Sequence, residues 1–524
     1  MLPTLEKSKT YRQIDHDFTK GLWHRHKGND RTYFAGENMS GDEHPALLSR
    51  PPRRIWQRLA GSVQGMTCAG DLYLACNGEM YKALSQNKVR VLGNVNKYPK
   101  VLGMLGDQLL ILPDFRVYDK KTDLLRSRYV NLKLANVIVQ NQDYVDEDGV
   151  ARAVKFNTLY CTDFNFLDYF SPGDSILLSG SEHNDGAYTI RKVEEYYLRF
   201  DENSFVAEDI ASCTLIIDAP YPMGGLFSCS GRLWGYSKDT IYATAPGDVT
   251  NWFRYDGDEQ SSFCLRVPGS EPFTACVMHA GRPVFFRSNS MVEVYGDSPA
   301  NFSIMETALS GVMEGSGASL CSVGGDMIYL SANGVVCCSG SSARVISESL
   351  GKSLSEGIAT TDGRKYYLSA KDEQGVRALY VYDTVTEAWH REDGANIQYL
   401  GYLAGDVYAC GSDNVVYIIG QDKTGHGIVQ GPASSYIEFH PLTDDARGEI
   451  VPVRLGVRVL CELGSSLMLS VSYDGGEWEK RATLECEGSR LWYVPLQPRA
   501  CHTLGIRIDG DGEYRVLSLI KEYK

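Results

Sequence analysis

Nowhere does this chain of 524 residues hold the run of about 18 uninterrupted apolar residues that a membrane helix requires. Its first 30 residues are polar and charged rather than signal-like, so the expectation is a protein made and kept in a cytoplasm, without membrane insertion. The 14 cysteines form no C-x-x-C pair and no Cys/His ligand spacing. They read as small buried hydrophobes kept mostly reduced, the adjacent Cys337 and Cys338 among them. Positive charge is also short: 52 Lys and Arg stand against 66 Asp and Glu, for a net charge of −14. That balance argues against broad, sequence-independent DNA binding, which needs clustered cations, and leaves only local basic patches.

Complete catalytic motifs are missing as well. No G-x-S-x-G elbow is present. Gly351-Lys352-Ser353 ends like a phosphate loop, but Ile346 stands where the loop's first glycine belongs. His24 and His26 flank Arg25 without a third ligand nearby and read as surface residues. Asp509-Gly510-Asp511-Gly512-Glu513 gathers three carboxylates but lacks the other ligands of a calcium loop, so it reads as a hairpin turn. The expectation is no catalytic residue, no cofactor and no metal.

What the sequence has is a returning phrase of glycine, a polar residue and then aromatic and β-branched residues. It begins at Gly70, Gly106, Gly231, Gly281, Gly325, Gly363 and Gly405. Successive glycines lie about 36 to 50 residues apart, the period of a four-stranded propeller blade, except for one step of about 125. Each phrase reads as a hairpin turn leading into an inner strand, and a second alternating strand follows, such as Met291-Val292-Glu293-Val294-Tyr295. A sandwich with evenly spaced hairpins is the simpler alternative. Seven copies in register favour an all-β, seven-bladed β-propeller.

Five segments follow from this pattern. Residues 1–60 read as an extended arm, 61–128 as blades one and two, and 129–222 as an inserted small β-barrel or sandwich. Residues 223–425 read as blades three to seven and 431–524 as a carboxy-terminal β-sandwich. The insert is signalled by Phe164–Phe170, Ser175–Gly180, Ala187–Val193 and Tyr196–Phe200, joined by Pro172-Gly173-Asp174 and Asn184-Asp185-Gly186 turns. Tyr382-Asp383-Thr384 through Trp389, and Gly247-Asp248 through Trp252, read as hairpin corners with a packing tryptophan. In the arm, Pro45, Pro51 and Pro52 favour extended backbone, while Arg50, Arg53 and Arg54 are candidate partner contacts suited to carboxylates. A solvated tail is the alternative. If the arm lies on a neighbour, a chain lacking residues 1–54 should keep its fold.

Several stretches carry a resemblance. Gly231-Arg232-Leu233-Trp234-Gly235 with Gly247-Asp248-Val249-Thr250-Asn251-Trp252, Val292-Glu293-Val294-Tyr295-Gly296-Asp297, and Leu330-Ser331-Ala332-Asn333-Gly334-Val335 are similar to β-propeller virion proteins. So are Glu37-Asn38-Met39-Ser40 and Val471-Ser472-Tyr473-Asp474-Gly475-Gly476. These are encoded in tail modules of bacteriophages and prophages of Gram-positive gut bacteria. In architecture the chain also resembles nozzle and DNA-stabilisation proteins of short-tailed phages. The resemblance implies a non-enzymatic virion subunit in the tail, assembled in the host cytoplasm. It also implies a ring of copies, contacts with adjacent tail or neck proteins and passing contact with genomic DNA. An acidic channel lining would suit that role. A tail protein that recognises cell-surface carbohydrate is the first alternative, and a glycan hydrolase the second.

Overall fold

The computed structural model describes residues 10–25, 31–145, 151–170, 172, 174–200, 205–217, 222–253, 255, 257–269, 271–420, 429–431, 433–444, 446 and 448–524. His26, Gly173 and the end of the expected propeller at 421–425 lie outside them. The described chain is all-β, with only three short 3₁₀ turns for helix. It divides into two compact units, one of Met1–Ser62, Ser85–Lys88 and Val312–Lys524, the other of Val63–Leu84 and Val89–Gly311.

The second unit holds four four-stranded antiparallel sheets, each a meander of consecutive strands, and a closed six-stranded barrel. The meanders begin at the strands Val63–Cys68, Val101–Leu105, Gly225–Cys229 and Ala275–His279. The first unit adds two more four-stranded sheets, a six-stranded sheet and a nine-stranded sheet. Six four-stranded sheets of the propeller-blade kind are thus present, four in one unit and two in the other, where seven were expected. The difference falls at the phrase beginning Gly363. There the four antiparallel strands from Ser355–Thr361 to Ala388–Asp393 are joined by Gly21–Leu22 and Thr32–Tyr33, which add in parallel at the edge.

The repeated glycine has a local cause. At Ser230-Gly231, Ala280-Gly281 and Ala404-Gly405 both residues have positive φ, the backbone of a tight hairpin turn whose twist matches that of its strands. The strand that follows is largely buried: every residue of Leu72–Cys76 is buried, as are all but the first of Asp406–Gly411. These are second strands, however, and not the innermost ones. The strand before each turn packs against the neighbouring sheet, as Val101–Leu105 does on Gly225–Cys229 and Ser355–Thr361 on Ile397–Leu403.

The insert is a closed barrel in the order Val130–Val145, Ala151–Tyr160, Tyr197–Phe200, Gly186–Val193, Ser175–Ser179 and Glu208–Ile217. Leu134, Leu159, Ile190, Leu198, Phe200 and Leu215 fill it. The aromatic run Phe164–Phe170 is not a strand. Asn165 accepts from the Leu167 N–H and starts a 3₁₀ turn at Phe166–Asp168, with Phe166 and Phe170 as buried anchors. Trp252 is fully buried in a long loop and not at a hairpin corner, whereas Trp389 follows a true corner at Asp383.

The carboxy-terminal sandwich is one continuous nine-stranded sheet. The strand Pro452–Tyr473 pairs with Tyr514–Tyr523 through its first half and with Leu504–Asp511 through its second. The change comes where register shifts between Cys461 and Ser465, beside Gly464 at φ 85°. A bulge of this kind bends a strand enough to carry it from one layer to the other. The Asp509–Glu513 stretch is not the expected hairpin: Leu504–Asp511 and Tyr514–Tyr523 do not pair with each other but follow one another along Pro452–Tyr473, joined through Gly512 and Glu513. Cys461 is disulfide-bonded, a departure from the reduced thiols seen at Cys337, Cys338 and elsewhere.

The arm is folded into its own chain. It gives the sandwich four strands, Tyr11–Asp15, Ala35–Glu37, Met39–Ser40 and Leu47–Ser49. Arg54–Arg58 completes the last four-stranded sheet by pairing with Val415–Ile419.

Candidate functional sites

Arg50 and Arg53 meet the carboxylates their chemistry calls for, but those carboxylates belong to the same chain. Both guanidiniums are buried against the strand Ala388–Asp393. Arg53 donates to Asp393 Oδ1 at 2.8 Å, Glu392 Oε2 at 3.0 Å and the Asp393 carbonyl at 2.6 Å. Arg50 donates to Asp393 Oδ2 at 2.7 Å and to Asn38 Oδ1 at 3.0 Å. Asn38, at φ 58°, also accepts from the Asp393 N–H and donates its amide to the Ser434 carbonyl. It thereby ties arm, blade strand and sandwich together. Burial works to raise the Asp393 carboxyl, yet Arg53 and Arg50 hold it below the usual carboxylate range. Arg54 makes a more exposed pair with Asp406 at 3.2 Å.

The innermost strands are nearly free of charge. Val63–Cys68, Val101–Leu105, Gly225–Cys229 and Ala275–His279 in one unit, and Cys321–Val323, Ser355–Thr361 and Ile397–Leu403 in the other, hold no Lys or Arg. Their one carboxylate is Glu356, taken up by Lys371 Nζ at 2.9 Å and Arg377 Nη2 at 3.1 Å. The expected acidic lining is therefore absent from these strands. A glycosidase on such strands would need two facing carboxyl groups.

The barrel exposes an apolar end. The loop holding Phe166 is bonded to the carbonyl of Glu195 in the next turn. Leu167, Tyr169 and Tyr196 are each about half exposed around it, with Phe164 packed on Tyr169. Glu208, at the start of the barrel strand Glu208–Ile217, accepts from Ser181 Oγ at 2.5 Å and from the Glu182 N–H at 2.6 Å, both on a neighbouring loop. The Ser181 hydroxyl, with the backbone N–H groups of Glu182 and His183, pulls the Glu208 carboxyl down to about 2 from 4.5. Its folded-state value is depressed, so its stabilisation is complete above pH 4.5 and lost as pH falls toward 2. Thermal melts of wild type should therefore decline more steeply across that window than those of Glu208→Gln. Parallel declines would refute this role.

A cavity of about 460 Å³ lies in the first unit where the arm strand Tyr11–Asp15 meets the sandwich. Lys521 is buried and pairs with Asp15 at 2.7 Å, and Gln13 Nε2 donates to Asp15 Oδ1 at 3.2 Å. Across the cavity Arg31 pairs with Asp17 at 3.2 Å, and His440 Nε2 bonds Thr32 Oγ1 at 2.9 Å. Burial and the Lys521 charge push the His440 imidazole down to about 4, so it is neutral at pH 7. None of these groups stands out in the sequence. The one signal is Lys521, a cation inside an alternating strand.

His24 is half-buried with its ring on Phe34, and Lys352 pairs with Asp372 at 3.3 Å in a loop without a following α-helix. Among the described residues no three His, Cys, Asp or Glu stand close enough to hold a metal ion, and no helix is long and apolar enough to cross a membrane.

No protein-family model and no curated protein matches the chain. Among solved structures it is similar to BamB from Moraxella catarrhalis, at 12% identity and a TM-score of 0.36, covering 72% of this chain and 99% of that one. It is also similar to an exo-β-1,3-galactanase from Phanerochaete chrysosporium, at 10% identity and a TM-score of 0.23, covering 58% and 96%. A family 43 arabinoxylan arabinofuranohydrolase from Bacillus subtilis has 10% identity and a TM-score of 0.19, covering 89% and 96%.

Proposed function

We propose that the chain is a non-enzymatic structural subunit of a bacteriophage tail, a nozzle- or hub-like protein that forms a ring of copies and contacts adjacent tail or neck proteins. In this reading the four consecutive strands from Ser355–Thr361 to Ala388–Asp393 count as a blade and restore seven. The observation that carries the proposal is the composition of the innermost strands: no Lys or Arg, and one carboxylate already neutralised by two cations. Such strands give phosphate no Lys or Arg to hold, so DNA would pass without sticking, and they lack the acid pair of a hydrolase. The half-exposed Leu167, Tyr169 and Tyr196 on the barrel are suited to contact with a neighbour.

The test is the assembly state. Mass photometry and negative-stain imaging of the purified chain should show a closed ring, and labelled antibody should mark the tail of virions. A trimer at a fibre tip would favour the receptor-binding reading instead, and a protein absent from virions would refute a tail role.

A further inference from the structure

We propose that the cavity between the arm strand and the sandwich is a binding site for a neutral polyhydroxylated ligand of one or two sugar rings. Its volume of about 460 Å³ lies in the range of small-molecule sites. Its polar groups converge because of register. Gln13 stands directly opposite Lys521, and Asp15 lies two residues further along the same face. Thr32 and His440 enter from the other side as a bonded pair.

Ligand charge is decided by how these groups are already matched. Lys521 pairs with Asp15 and Arg31 with Asp17, so among the Lys, Arg and Asp side chains of the lining two cations balance two carboxylates; His16 also lines the cavity. A charged ligand would have to pull one member from its pair, and for Lys521, only 2% exposed, separation leaves a buried charge uncompensated. Hydroxyl groups need no such separation. Each can donate to a carboxylate and accept from an ammonium or guanidinium, bridging the pairs while leaving them intact. Neutral His440 adds a polar wall without net charge, and Pro441 supplies apolar surface for the C–H face of a ring.

The full-length chain should be titrated by calorimetry and saturation-transfer NMR with glucose, galactose and N-acetylglucosamine, and with glucosamine and glucuronate as charged counterparts. Saturable binding of at least one neutral sugar, weaker for its charged counterpart, is expected. Gln13→Ala and Arg31→Asn should each weaken it about tenfold, the scale of one lost hydrogen bond to a ligand. Asn is chosen because residue 31 has φ 70°. Both side chains are largely exposed, so melting temperature should not change. No saturation by any neutral sugar, preference for a charged one, or equal affinity in both variants would overturn the proposal.

Discussion

Replacing Arg53 with alanine is expected to lower stability by about 3–5 kcal/mol, the cost of removing one partner from a buried ion pair. The Arg53 side chain is 1% exposed and that of Glu392 7%, so neither water nor salt can stand in for the lost guanidinium. Glu392 and Asp393 would face each other with Arg50 alone to balance them. Arg54→Ala is the comparison: Arg54 is 11% exposed, but the Asp406 carboxylate left behind is 40% exposed and open to water, so the loss should be smaller than at Arg53. Adding Glu392→Gln to Arg53→Ala should recover part of the deficit, because it removes the charge left without a partner. Urea denaturation followed by tryptophan fluorescence reads all three, with Trp389 on the same strand as reporter. An Arg53→Ala protein as stable as the Arg54→Ala protein would refute the node's importance.

Deleting residues 1–54 should have a larger effect still, the reverse of what an arm lying on a neighbour implies. The deletion takes four strands from the sandwich, two from the six-stranded sheet and the first residue of the strand that completes the last blade. It also uncovers Leu469, Phe439 and Tyr366, which share one core with Phe18, Tyr33, Met39 and Leu47. Burying a single side chain of this size is worth about 1.5–3 kcal/mol. Four such losses reach the whole stability of a typical domain, about 5–15 kcal/mol. The truncated chain should be recovered aggregated, or with the 312–524 region cut rapidly by protease. A soluble, protease-resistant product with unchanged circular dichroism would sink this expectation.

The repeat was legible because its cause is local. A Gly in a tight turn beside a polar residue, followed by a short run of mostly apolar residues, states a hairpin and a buried strand within ten positions. The barrel was legible for the same reason at Ser175–Ser179 and Gly186–Val193. The arm was not, because most of its structure depends on partners hundreds of residues away: Leu47 and Leu48 join the sandwich by pairing with Val516 and Arg515. Arg50 and Arg53 could be read as seekers of carboxylates, yet nothing in the sequence says that Glu392 and Asp393 supply them. The cavity was illegible on the same ground, since Gln13 and Lys521 come together only through pairing of the chain's two ends.

That pairing fixes when the first unit can be completed during synthesis. Arg53 and Asp393 are separated by 340 residues. At about 5–20 residues per second, the arm therefore waits roughly 17–70 s on the ribosome before its blade partner is made, and longer for the final strand. Through that interval its short strands expose backbone donors and acceptors, and no earlier-made segment of the chain completes their sheets. The second unit faces no such delay, because its meanders close within neighbouring stretches of chain. Newly made protein thus passes through a stage with one unit formed and the other waiting for Tyr514–Tyr523, and a ribosome stalled before residue 514 holds a sandwich that cannot close.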